Sequence, residues 1–157
     1  MNNRMLAAGD IFDYDLPMRW SDSDALNHMN NALYFRFMEE ARVKLMMDAG
    51  LDLPDEVSQQ GPVLAHSSCD FHLSITYPAT VRVRHQVIRI GRSSMEHEVT
   101  LMVPDKTGDQ VYARARNILV WADIKTGKSV PWPAHVLERF GKLCRPGELA
   151  KQATDNV

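Results

Sequence analysis

From Asn31 onward, the apolar residues Tyr34, Phe37, Met38, Ala41 and Leu45 return at intervals of three and four, the spacing that lines one face of an α-helix. Gly50 supplies a natural stop, because glycine takes the left-handed conformation that closes helices without steric cost. Asn30 or Asn31 can serve as the N-cap, since a short amide side chain accepts from an unpaired N–H of the first turn. Upstream, Asp15 to Trp20 predicts a short strand, with Pro17 marking an edge or a strand start. Downstream, Leu51 to Gly61 predicts a loop.

Beyond that loop the period falls to two. Val63, Ala65, Ser67, Cys69, Phe71, Leu73 and Ile75 alternate with His66, Ser68, Asp70, His72 and Ser74, which predicts a long strand with one apolar face. Tyr77-Pro78-Ala79 marks a turn into a second long strand, Val81 to Ile90, and Gly91-Arg92-Ser93 a tight hairpin into a third, Met95 to Val103. PDKTGD turns the chain into a fourth, Val111 to Asp123, where Ala113 and Ala115 are small enough for a helix to press close. A turn-rich exit, Lys125 to Pro133, precedes a short helix over Ala134 to Lys142, and the polar end from Arg145 is expected to fray. One strand, one major helix and four antiparallel strands pack most economically as an α+β fold, a sheet curled around the helix. Such a sheet keeps open edges, so a partner subunit is expected to pair with one of them.

At 157 residues the chain has the length of one domain, spanning 1–157 with its core at about 15–142. A hydrophobic content of 45% and a charged content of 24% argue against wholesale disorder. The formal net charge of −2 leaves no basic excess for nucleic acid or for an anionic membrane. Cys69 and Cys144 belong to no CxxC pair or zinc spacing and are read as reduced thiols. The first residues lack an apolar signal segment and no run is long enough to span a bilayer, so the expected location is cytoplasmic.

Candidate chemistry concentrates between Arg19 and Asn31, RWSDSDALNHMNN, a turn joining a strand to the helix start. A helix start offers unpaired N–H donors and a partial positive charge, so a carboxylate held just before it can act on a carbonyl that those donors polarise. The pattern suggests acyl transfer. Each acid taken alone could be a cap, and Asp22, Asp24 and His28 could be metal ligands, although their spacing matches no calcium loop or zinc motif. Glu40 falls near the apolar helix face and is expected to be partly buried, with a helix-to-sheet hydrogen bond as its ordinary explanation. Arg92, Ser93 and Ser94 put guanidinium and hydroxyl donors at a sheet corner where phosphates could dock. The methionines could line an adaptable acyl pocket or merely fill the core. There is no GxSxG elbow, glycine-rich phosphate loop or HExxH helix.

RWSDSDALNHMNNALYFRFMEEAR resembles the pattern RWxDxDxxGHVNNxxYxxYxEEAR of the hotdog-fold thioesterases related to 4-hydroxybenzoyl-CoA thioesterase. TVRVRHQVIRIGRSS and ARARNILVWADIKTGKSVPWP look like later segments of the same family, so the likeness runs from about Pro17 to Phe140. The resemblance implies a hotdog fold hydrolysing acyl-CoA or another acyl thioester, with no cofactor and no metal. It implies a homodimer or a dimer of dimers with active sites between subunits. It places the catalytic carboxylate at Asp24, the oxyanion donor at the backbone N–H of Asn31, and His28 in support. Arg92, Ser93, Ser94, Asn30 and Tyr34 are the expected substrate contacts. Asn27 stands where the pattern has glycine, a position asparagine can fill in a left-handed turn. Plant acyl-carrier-protein thioesterases are similar over the loop, but the asparagine they use two places before the histidine is Leu26 here. Two rival classes on the same fold are a non-catalytic acyl-CoA-binding module and a hydratase or dehydratase. Against the second, the helix carries no histidine.

Overall fold

The computed structural model describes residues 4–51 and 59–150. Its strands β1 (Ile11–Pro17), β2 (Gln60–Phe71), β3 (Thr80–Ile90), β4 (Ser94–Met102) and β5 (Val111–Asp123) form one antiparallel sheet in the order β1-β3-β4-β5-β2. Helix α1 (Asn31–Asp48) lies against one face, a short α2 (Pro104–Thr107) links β4 to β5, and α3 (Ala134–Leu143) follows β5. The α+β arrangement expected from the periodicities is the one observed.

The helix buries Tyr34, Phe37, Met38, Ala41 and Leu45, the five residues that the spacing selects. Beneath them Val81, Val83, Val99 and Leu101 come from the inward parity of β3 and β4, and Ala113 and Ala115 leave room on β5 for the helix to approach. After α1 the chain turns at Gly50, whose φ of +70° lies in the left-handed region where a Cβ would be strained. Seventeen buried side chains, from Leu16 to Ala115, form this cluster, and a second one under α3 gathers Phe12, Trp121, Trp132, Val136 and Phe140.

Several expectations shift. β1 begins at Ile11 rather than at Asp15, because Asp13 and Asp15, which look like loop residues, point away from the core and pair with Arg84 and Arg82 of β3. After Pro17 the chain leaves the sheet and tightens into a 3-10 turn at Trp20–Asp22. β2 ends at Phe71 rather than at Ile75, and a register shift between Leu64 and His66 interrupts the simple alternation. The predicted loop from Leu51 to Gly61 contains residues 52–58, which lie outside the described residues, and β2 already includes Gln60. The end from Arg145 does not fray at once: Arg145 exchanges backbone hydrogen bonds of 2.9 Å with Ile11 and its guanidinium donates to Asp13. Glu40 is exposed and lies 3.6 Å from Arg36, so it needs no buried partner.

One part of the helix–sheet interface is polar. His85 and His97, on the inward parity of β3 and β4, are fully buried with their Nδ1 atoms 3.2 Å apart, and Phe12 stacks on His85 at 4.7 Å. Buried Asn117 accepts from Arg42 Nη1 at 2.9 Å and donates to Ser67 Oγ at 2.7 Å; the reverse amide orientation would turn its NH₂ toward the guanidinium. Burial, then the facing imidazole and Arg42, pull His85 well below the ordinary histidine range, and burial with Arg42 brings His97 to about 4.

Candidate active site

The loop before α1 is closed by its own backbone. Ser23 and Met29 form an isolated antiparallel bridge, Asp24 N–H donates to the His28 carbonyl at 2.8 Å, and Asn30 N–H donates to the Asp22 carbonyl at 3.0 Å. The reversal is made at Asn27, which has φ of +59°, the left-handed conformation that its short amide tolerates. The loop is fastened to the sheet through Met29 N–H, which donates to the Ile75 carbonyl at 2.7 Å.

The two acids of the motif have different settings. Asp22 is buried; its carboxylate accepts from the Arg19 amide at 2.8 Å and from the Arg19 guanidinium at 3.0 Å. Burial pushes this carboxyl up, but the two Arg19 bonds and the charge of Arg36 outweigh it and hold it below the usual range. The metal-ligand alternative would need that carboxylate free beside Asp24 and His28; it is turned to Arg19 instead. Asp24 is exposed, and its Oδ1 accepts from the amides of Leu26 (2.9 Å) and His28 (3.2 Å). Among the described residues no donor holds Oδ2.

Asn31 is the first residue of α1, and among the described residues no acceptor takes its N–H. The N-cap is Asn30, whose Oδ1 accepts from Ala32 N–H at 3.0 Å; its amide oxygen thus serves the helix. His28 touches Asp24 through its main chain. Tyr34, expected to meet substrate, is only 2% exposed and packs edge-on against Phe71 at 4.9 Å. Burial raises its phenol above the ordinary value, the Ile75 backbone works against this, and the nearby Cys69 and Asp24 add to the rise. Phe71 itself was not among the expected contacts. The signal was available, since it shares the parity of Cys69 on β2.

Asp24, His28, Asn30 and Asn31 therefore stand together, and the hairpin does not join them within one chain. The Asp24 loop sits beside the Thr80 end of β3, where Met18 N–H donates to the Ala79 carbonyl. Arg92, Ser93 and Ser94 follow the Ile90 end, and the hairpin is locked there by bonds from Trp121 N–H to the Ser93 carbonyl and from Trp132 N–H to the Arg92 carbonyl. An 11-residue strand separates the two places, roughly 33 Å at the usual rise.

Residues 18–140 match the model of the thioesterase-like superfamily. Among solved structures, the PA2801 protein of Pseudomonas aeruginosa, a candidate thioesterase, is 34% identical over 79% of this chain and 93% of its own, with a TM-score of 0.73. Slr0204 of Synechocystis, a 1,4-dihydroxy-2-naphthoyl-CoA thioesterase, shares the fold with a TM-score of 0.73 at 17% identity, over 83% of this chain and 95% of its own. The uncharacterized protein YsmA of Bacillus subtilis (strain 168) is 25% identical over 115 residues, 73% of this chain and 75% of that protein.

Proposed function

The chain belongs to the thioesterase-like superfamily and is an enzyme with the hotdog fold, and from that premise we propose that it hydrolyses acyl-CoA thioesters to a carboxylic acid and free CoA, with Asp24 as the reacting carboxylate. The observation that carries this reading is the Asp24 side chain: Oδ1 is fixed by two amides and Oδ2 is left for substrate, on a closed loop that ends at the unpaired N–H of Asn31. A thioester carbonyl seated at that N–H has its oxygen polarised by a donor and by the positive end of an 18-residue helix.

Two routes use the same groups. Asp24 Oδ2 attacks the carbonyl carbon, the C–S bond breaks, CoA leaves as thiolate, and water then cleaves the mixed anhydride. Alternatively Oδ2 takes a proton from water, the resulting hydroxide adds to the carbonyl, and the tetrahedral intermediate expels the thiolate. A thiol of reference pKa about 8.5 leaves without a strong general acid, which suits a loop with few titratable groups. One turnover in ¹⁸O-labelled water separates the routes: label in the Asp24 carboxylate marks attack by the side chain.

A homodimer completes the site. Among the described residues β2 pairs with β5 alone, which leaves its other edge for a second copy. Two copies joined antiparallel along that edge place the Asp24 end of one sheet beside the hairpin end of the other, bringing the Arg92, Ser93 and Ser94 donors toward the CoA phosphates. Thiol release from a panel of acyl-CoAs, with Asp24→Asn as control, tests the activity. Release from no member of the panel, or equal release by the variant, would reject the assignment.

A further inference from the structure

Both backbone groups of Asn30 and its side-chain oxygen are engaged. The carbonyl accepts from Leu33 N–H at 2.9 Å and Oδ1 from Ala32 N–H at 3.0 Å, bonds that lie within the first turn of α1 and travel with the helix. The Asn30 N–H reaches outside the helix: it donates at 3.0 Å to the Asp22 carbonyl, across the loop that carries Asp24. The Asn31 N–H, which no acceptor takes among the described residues, belongs to the same peptide as the Asn30 carbonyl. Where it points relative to Asp24 therefore depends on where Asp22 stands.

Asp22 is itself fixed on every side. Ser23 N–H, in the same peptide as the Asp22 carbonyl, donates to the Trp20 carbonyl at 3.1 Å, and Asp22 N–H donates to the Arg19 carbonyl at 3.0 Å. Oδ2 accepts from the Arg19 amide at 2.8 Å and Oδ1 from the Arg19 guanidinium at 3.0 Å. A carboxylate has an acceptor for each of these donors, whereas an amide in its place would turn an NH₂ toward one of them. With 2% exposure, Asp22 reaches the loop and no substrate. Resting on the hydrolase reading above, we propose that Asp22 is a positioning residue of the reaction: by tying the turn at Arg19 and Trp20 to the start of α1, it aims the Asn31 N–H at the thioester oxygen. A donor of this kind counts most where charge develops, so a small change of aim costs turnover before it costs binding.

The test reads the aim of the donor. The ligand is the octanoyl-CoA analogue with CH₂ in place of the thioester sulfur, a ketone that cannot be hydrolysed, labelled with ¹³C at the carbonyl. A hydrogen bond from a fixed donor lowers the infrared stretching frequency of that carbonyl. Asn31→Pro sets the zero: proline suits the first helical position, lacks the N–H, and follows an Asn30 whose ψ of 132° already meets the demand of a succeeding proline. The parent band is expected below that of Asn31→Pro, with Asp22→Asn between them and Asp22→Ala nearer the proline variant. In parallel, Asp22→Asn should lower kcat for octanoyl-CoA about tenfold with KM within about twofold, a split that loss of stability alone would not make. If neither Asp22 variant folds, Arg19→Gln, altered at a side chain that is 60% exposed, is read in the same way. An Asp22→Asn band at the parental position overturns the proposal, whatever the unfolding midpoint. An Asn31→Pro band at the parental position overturns it as well, together with the oxyanion role of Asn31. Absence of thiol release by the parent would reject the hydrolase reading by itself, while the bands would still decide whether Asp22 aims the donor.

Discussion

Asp24 and Asp22 are separated by one residue and are held for opposite purposes. Asp24 keeps one oxygen in a pair of amide bonds and presents the other, so replacing it with asparagine preserves shape and removes the charge to which the proposed chemistry assigns attack or proton transfer. Asp24→Asn should therefore lose on the order of a hundredfold or more in kcat with an unchanged circular dichroism spectrum. Asp22 supports the loop from within through Arg19, and its carbonyl holds Asn30. Asn30→Ala removes the helix cap and should cost about 1 kcal/mol in denaturant unfolding, with a fall in turnover as the Asn31 N–H loses its fixed aim. A variant that loses stability but keeps full kcat would separate the cap from the chemistry. The residue roles were legible where a single chain segment decides them: Asn27 as the left-handed turn and Asn30 as a cap follow from side-chain chemistry alone. Tyr34 and Phe71 were not, because which ring covers the other depends on β2 passing beside α1, a tertiary fact that spacing does not contain.

Among the elements, α1 was the most readable, since every apolar position at helical spacing is buried. β1 was the least, because acids on its outer parity disguised a strand whose charges are answered by arginines on β3. The same alternation that turns Val81, Val83 and Val87 inward also carries His85 inward, and its meaning depends on β4 placing His97 diagonally across from it, opposite Val87. Both imidazoles titrate lower in the folded chain than in the unfolded one, where the value is 6.5. Between about 4 and 6.5 the unfolded state thus binds more protons, so stability that is full above 6.5 falls as pH drops through this window. For His97 alone the loss is on the order of 3 kcal/mol by pH 4, since each pKa unit is worth about 1.4 kcal/mol. Urea midpoints at pH 7 and pH 4.5 should differ accordingly, and the difference should shrink in His85→Gln/His97→Gln. An unchanged pH dependence in the double variant would assign the effect to other groups.

Across the whole molecule, the outer face of the sheet is covered by cross-strand ion pairs, Arg82–Asp15, Arg84–Asp13, Arg114–Glu98 and Arg116–Glu96, while the edge of β2 leaves Val63 and Leu64 half exposed. The charged face is at ease in water, and the edge is where the proposed dimer would join. Arg92→Ala should raise KM for acyl-CoA about tenfold, the loss of about 1.4 kcal/mol of charge-assisted contact, and leave a short thioester without a nucleotide almost untouched. The distance between Asp24 and Arg92, a full strand length within one chain, gives that prediction a genetic form. If each site draws its carboxylate from one copy and its guanidinium from the other, a mixed dimer of Asp24→Asn and Arg92→Ala chains contains one site with both defects and one with neither. Co-expressing the two impaired proteins should then restore turnover at the parental KM, although neither restores it alone. Two damaged alleles would complement each other, and persistent failure to do so in purified heterodimers would return both residues to separate duties.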